Sequence, residues 1–441
     1  VAGGEYNVAI GQFTLDALTS GDNNTAIGYQ AGTDLTEGAN VTLVGYGAGA
    51  NITTGSDSVF IGKDAGLAVT TSSGNTAVGY RSAEDLTGAK NTMLGYKAGL
   101  NATTGADNVI VGYEANGTGV LTAANNVMVG KESGKNLTSG AENVAVGKGS
   151  LFSATTATQC VAIGQNAGYA VTTGGAVNLV AIGHGAYNGA GDTETNNLAI
   201  GVSAMLGPSL AGAEYNVAIG NFALDALTSG DNNVALGYNA GTAVTTGHRN
   251  TLMGQGAGEA LTTATHTVAI GNAAASGYDT ETENLAIGHA ALGGSVAGGE
   301  FNIAIGNNSL DALTSGDKNT TVGYEAGSAL TTGDENVIIG HKAARTGVLT
   351  GNNNVIMGES AGLNMTSGAD NVIIGKTAVG TGVLTGNENV VIGGAAGASM
   401  TSGTKHVLIG FNAGNAIPNQ TDGSVCVGYE AGKDLTTGGS V

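Results

Sequence analysis

The sequence predicts an all-β fold, a parallel β-solenoid (β-roll) of about 25 coils with a 17-residue repeat. Three observations predict it. A short unit, first met as NVAIG at residues 7–11, returns in variant form along the whole chain. Its closing glycine falls at Gly11, Gly28, Gly45, Gly62 and onward to Gly428, in 25 copies; of the 24 intervals, 15 are 17 residues, one is 16, six are 18 and two are 19. The composition fits a regular array of small side chains: 79 Gly, no Trp, six Phe, two Pro and 11% charged residues in 441.

A period of 17 is too short for helix-pair repeats. It suits one coil containing two short strands and two turns. Stacking at about 4.8 Å per coil would give a rod of roughly 120 Å. Such coils cannot bury an apolar face singly, so the core arises from the stack. With the closing glycine as position 0, position −1 is Ile, Val, Leu or Met in all 25 copies, for example Ile10, Ile27 and Val44. Position −3 is Val, Leu or Ile in 19 copies and Thr in six. Period-2 alternation points these two the same way, and the expectation is that they face the core. A second apolar column at +7 (Leu18, Leu35, Ile52, Val69, Leu86, Leu137) is expected to mark the second strand, followed by Thr-Thr-Gly or Thr-Ser-Gly turns.

Position −4 is Asn in 18 of 25 copies, including Asn7, Asn24, Asn75, Asn91 and Asn108. Stacked amides can bond to one another along the array and satisfy turn backbone groups. Calcium binding by Asn and Asp rows needs a GGxGxDxUx nonapeptide, which the chain lacks.

Position −2 points opposite to −1 and −3. It should be polar on an isolated solenoid, yet it is Ala in 12 copies and another apolar residue or Cys in 12 more; only Thr321 departs. A strand apolar on both faces is the mark of burial on both sides, and monomers do not expose apolar stripes of this length. Ala9, Ala26, Leu43, Phe60, Ala77, Met93, Ile110, Met128, Ala145 and Ala162 are therefore expected to form a trimer interface about a threefold axis.

The run N-[VT]-A-[IV]-G, followed by Ala-Gly and Thr-Gly turns, resembles the head repeats of trimeric autotransporter adhesins. It is also similar to the shaft repeats of phage tail fibres, where NTAIGYxAG and LTTG alternate; NTAIGYQAG at 24–32 and NTAVGY at 75–80 carry the likeness. The resemblance covers all 25 coils. It implies a left-handed, homotrimeric β-roll on a virion or cell surface, with host attachment as its role and no catalytic residues. Coils of 17 are longer than those usual in adhesin heads, which favours the phage fibre; a trimeric bacterial surface adhesin is the first alternative, and a tailspike-type glycan hydrolase or a self-assembling extracellular filament the second.

The remaining features bound the function. A formal charge of −20 argues against nucleic acid as partner, and no stretch of 18 apolar residues exists to span a bilayer. The chain opens at Val1 inside a repeat, so it reads as one continuous repeat domain, 1–441, cut from a longer fibre whose tip would contact a cell-surface glycan or receptor. Position +1 holds eight of the 13 tyrosines; Tyr80, Tyr96 and Tyr113 could stack on one another or dock sugar rings. A Thr column at Thr19, Thr36, Thr53, Thr70, Thr87 and Thr138 raises an ice-binding reading, but adjacent Thr-Thr should point one in and one out. The six histidines show no zinc spacing, and Cys160 and Cys426 pair with no His to make a nucleophile. No catalytic, cofactor or metal residue is expected, and scattered carboxylates such as Asp16 and Glu37 do not suggest a glycan hydrolase, although tailspike enzymes share the solenoid. The coils longer than 17 residues, which include Pro208 and Pro418, are where loops should project.

Overall fold

The computed structural model describes residues 3–172, 177–189, 196–210, 212–294, 298–417 and 422–435. It shows 25 parallel three-residue strands, one per coil, and no helix among the described residues. The contacts group the chain into two compact units of one design, 1–222 with 227–229, and 223–226 with 230–441. The first holds β1 (Val8–Ile10) to β13 (Val217–Ile219), the second β14 (Val234–Leu236) to β25 (Val425–Val427).

Within each unit every strand pairs with the next in exact column register. Ala26 lies beside Leu43, Leu43 beside Phe60 and Phe60 beside Ala77. Register survives changes in coil length: β7 (Val109–Val111) and β8 (Val127–Val129) are 18 residues apart, and Ile110 still pairs with Met128. The extra residues are taken up elsewhere in the coil. Of the eight longer coils, those closing at Gly183, Gly201, Gly220, Gly306 and Gly428 each have residues outside the described ones, as does Pro418.

The closing glycine must be glycine for two reasons. Gly112 has φ +140°, which L side chains avoid, and a Cβ there would sit 2.4 Å from the Gly130 carbonyl oxygen in the next coil. The same close approach recurs along the column, so the position is constant throughout the chain.

Two expectations are corrected. The first concerns the second strand. The limb around +7 bonds coil to coil, as in Thr36 N–H to Thr53 O at 2.9 Å, but its ladder reduces to isolated bridges such as Leu330 with Leu349. Left-handed residues at +2 and +4, for example Gly47 and Gly49, fold the chain into consecutive turns before it reaches +7. Among the described residues no extended run is left there to build a second sheet.

The second correction is which strand face is inside. Position −2 faces the core of its own chain: Ala26, Leu43, Phe60, Met93, Ile110, Met128 and Ala162 are fully buried, and Ala77 and Ala145 are 1% exposed. Ala9 is exposed, in a first coil that has a neighbour on one side alone. The nine buried ones therefore cannot form a seam with other chains. They pack with the +3 column (Ala31, Ala48, Ala65) and the +7 column (Leu35, Ile52, Val69), all fully buried.

Volume is exchanged between −2 and +4. In nine of the twelve coils whose −2 residue is a larger apolar residue or Cys, +4 is glycine: an added Cβ on Gly66 would lie 2.6 Å from the Phe60 ring, and one on Gly99 2.4 Å from Met93 Sδ. Where −2 is alanine, +4 is large in seven of twelve coils, as Leu15 is for Ala9, Leu151 for Ala145 and Leu224 for Ala218. In the other five +4 is Gly or Ala, and neighbouring coils fill the space, a Cβ on Gly32 lying 2.5 Å from Leu43 and 3.1 Å from Leu15. The alanines of −2 thus reflect a shared core volume and not an approach of neighbouring chains.

Candidate interaction face

With −2 inside, positions −3 and −1 face outward. The strand is apolar on both sides, so what remains in solvent is a stripe of β-branched and aliphatic residues, two wide and one pair per coil. Ile27, Ile61, Val109, Ile163 and Met253 are each 37 or 38% exposed, and most other members are half-buried. Ladders of different chemistry flank it.

The Asn ladder adjoins the strand in each coil and is buried from Asn24 onward. Each Asn Oδ1 accepts the backbone N–H of position −4 in the next coil, at 2.9 Å from Asn91 to Asn75, 3.0 Å from Asn108 to Asn91 and 2.9 Å from Asn126 to Asn108. Its Nδ2 donates to a turn carbonyl in the next coil, for example Asn91 to Gly105 O at 2.9 Å and Asn319 to Gly333 O at 2.8 Å. In the second unit the ladder runs without a break from Asn284 through Asn302, Asn319, Asn336, Asn354 and Asn371 to Asn389, where the backbone of His406 bonds the last amide. One amide side chain both accepts from the next coil's N–H and reaches that coil's turn carbonyl, which explains its recurrence.

Beyond the glycine, the +1 column is exposed and stacked. Tyr80 and Tyr96 have ring centroids 5.2 Å apart at 15°, and Tyr96 and Tyr113 lie 5.1 Å apart at 7°. Tyr29 and Tyr46 stack at 5.2 Å. Lys63 bridges the two groups, 5.5 Å from the Tyr46 ring and 5.9 Å from Tyr80, and Lys131 caps Tyr113 at 5.5 Å. The neighbouring Glu114 carboxylate holds the Tyr113 phenol above its ordinary pKa. Sugar docking needs an open ring face. Here the faces of Tyr80, Tyr96 and Tyr113 are turned on one another, and solvent meets edges and hydroxyls.

The Thr column is also committed to the coil stack. The Oγ1 of Thr19 donates to Thr36 O at 2.9 Å and that of Thr138 to Thr155 O at 2.9 Å, alongside the backbone bonds. Among the described residues no group of three His, Cys, Asp or Glu is placed to hold a metal, and no helix is long and apolar enough to cross a membrane. Burial pushes the Cys160 thiol up to about 11, the opposite of what a nucleophile requires.

The missed feature was the direction of the strand. A signal for it was available: the −2 and +4 columns trade volume, which only residues sharing one interior do. No family model matches the chain, and no curated protein matches it in sequence.

Proposed function

We propose that this chain is the structural shaft of a homotrimeric extracellular fibre, most simply a phage tail fibre that holds a host-binding tip away from the virion. One observation carries the reading: the outward −3/−1 stripe, apolar in coil after coil and half-exposed on the single chain. A stripe of that extent needs a cover, and identical chains related by rotation supply one without any further component. The role is mechanical. Parallel ladders of backbone, asparagine and aromatic groups resist bending and local opening. The repeat's likeness to fibre shafts supplies the setting, and the same likeness keeps a bacterial surface adhesin as the nearest rival.

The mass in native solution tests the assembly. Three times 42.7 kDa by light scattering supports it, and a stable 42.7 kDa monomer at micromolar concentration overturns it. Antibodies to the chain test the setting: labelling of virion tails supports the phage fibre, and labelling confined to bacterial envelopes supports the adhesin.

A further inference from the structure

The outward stripe is bordered by two exposed rims, position −5 on one side and +1 on the other, and their residues are matched within each coil. Position −5 carries seven carboxylates, and five of them share a coil with Lys or His at +1: Asp57 with Lys63, Glu142 with Lys148, Glu283 with His289, Glu335 with His341 and Asp370 with Lys376. Seven acids and seven Lys or His placed independently in 25 coils would coincide about twice. The four Lys or Arg at −5 never meet a cation at +1, and three of them share a coil with Tyr or Phe. No coil pairs like charges across the stripe.

Contacts within one chain do not account for the match. Each rim bonds along its own column: Asp57 accepts from Asn40 at 2.9 Å, Glu142 from Gln159 at 2.9 Å and Asp370 from Asn353 at 3.2 Å. Lys63 contacts Asp64 and the rings of its own column, and Lys376 reaches Glu359 at 2.9 Å. The apolar strand lies between the rims, so a coil's −5 and +1 residues have no reason to agree unless something else brings them together.

We infer that the stripe is covered by further copies of this chain, parallel and in register, with the −5 rim of one copy meeting the +1 rim of its neighbour in the same coil. Rotation about an axis parallel to the coil stack produces this contact, because every seam then joins opposite edges at equal height. The paired rims set the register, while the stripe supplies the burial. A stagger of one coil would place Lys90 of one chain beside Tyr80 or Tyr113 and leave Asp57 beside Tyr46 or Tyr80, losing the charge match. This inference rests on the shaft reading for its second copy and adds the direction and register to it.

Cross-linking between singly substituted chains tests it. Chains carrying Glu142→Cys are co-assembled with chains carrying Lys148→Cys and treated with a short bismaleimide; the native thiols, Cys160 and Cys426, are buried. Covalent dimers joining the two variants, at least tenfold above those formed with Lys131→Cys or Gln165→Cys partners, are expected. Preference for either of those neighbouring coils, or for dimers of Glu142→Cys with itself, overturns the inference while the native mass still reports the trimer. A second measurement uses charge. Asp57→Lys/Glu142→Lys/Asp370→Lys should weaken self-association at least tenfold at low salt, and adding Lys63→Asp, Lys148→Glu and Lys376→Asp should restore it. Unchanged association of the triple variant refutes the pairing.

Discussion

Replacing Phe60 by alanine removes the largest side chain of the −2 column from a site with no solvent access. The ring fills the space left by glycine at +4 in its own and the preceding coil, where added Cβ atoms on Gly66 and Gly49 would come within 2.6 and 3.1 Å of it. Loss of a buried Phe costs about 3–5 kcal/mol. At about 1.4 kcal/mol per factor of ten, that raises local opening roughly 100- to 4,000-fold. Gly66→Leu alone is also destabilising, by about 1–3 kcal/mol, because the new side chain meets the ring. The two changes together recreate the Ala145 with Leu151 arrangement, in which Leu151 sits at φ +47° without solvent exposure. The double variant should therefore be more stable than Phe60→Ala alone, with a coupling of about 1–3 kcal/mol. Hydrogen exchange of the amides of residues 59–61 and 76–78 is the suitable assay, since a repeat array need not unfold in one step. Additive losses would show that −2 and +4 do not share an interior, and the inward assignment of the column would fall.

Three further outcomes follow from the ladders. Asn319→Asp keeps the acceptor for Asn336 N–H but turns a carboxylate toward the Gly333 carbonyl. Burial should raise that carboxyl's folded pKa above its unfolded value near 3.9, so the variant should lose stability as pH rises from 4 to 7, and a flat profile in thermal melts would refute this. Cys160 ionises at about 11 in the fold against 9.0 for the unperturbed thiol. Its contribution is complete below pH 9 and lost as pH rises through 11, at most about 3 kcal/mol; Cys160→Asn, which restores the column's usual residue, should remove that part of the alkaline slope in denaturant titrations. Tyr96→Ala breaks two stacks at 5.2 and 5.1 Å and should cost about 1–3 kcal/mol with strand pairing intact, read from thermal melts and from tyrosine near-ultraviolet dichroism; an unchanged melting temperature would show the stack to be incidental.

The period, the strand positions and the amide ladder were all legible, because each depends on residues that recur at one spacing. Asn91 and Asn108 occupy the same place in successive coils, and the bond between them follows from adjacency alone. The sign of the strand was not legible from alternation. Val59, Phe60 and Ile61 are all apolar, so period-2 reasoning separates them into two faces without saying which is inward. What decides it is the turn after the glycine, whose left-handed residues bring +4 back beneath −2. The second strand failed for the same reason: Leu35 and Thr36 have strand-like composition, but the backbone reaches them through turns and pairs them singly.

Strand register that ignores coil length has a consequence for how such a molecule changes over generations. Residues 109–111 pair with 127–129 as faithfully as 92–94 do with 109–111, although the loops between them differ by one residue. Removing or duplicating one entire coil within a unit would leave each new neighbour facing a compatible strand, a compatible amide and a compatible glycine. The span of a unit is therefore quantised, adjustable in steps of about 4.8 Å by unequal recombination between similar sequences, and within a unit such steps can be added or erased without redesigning any of them.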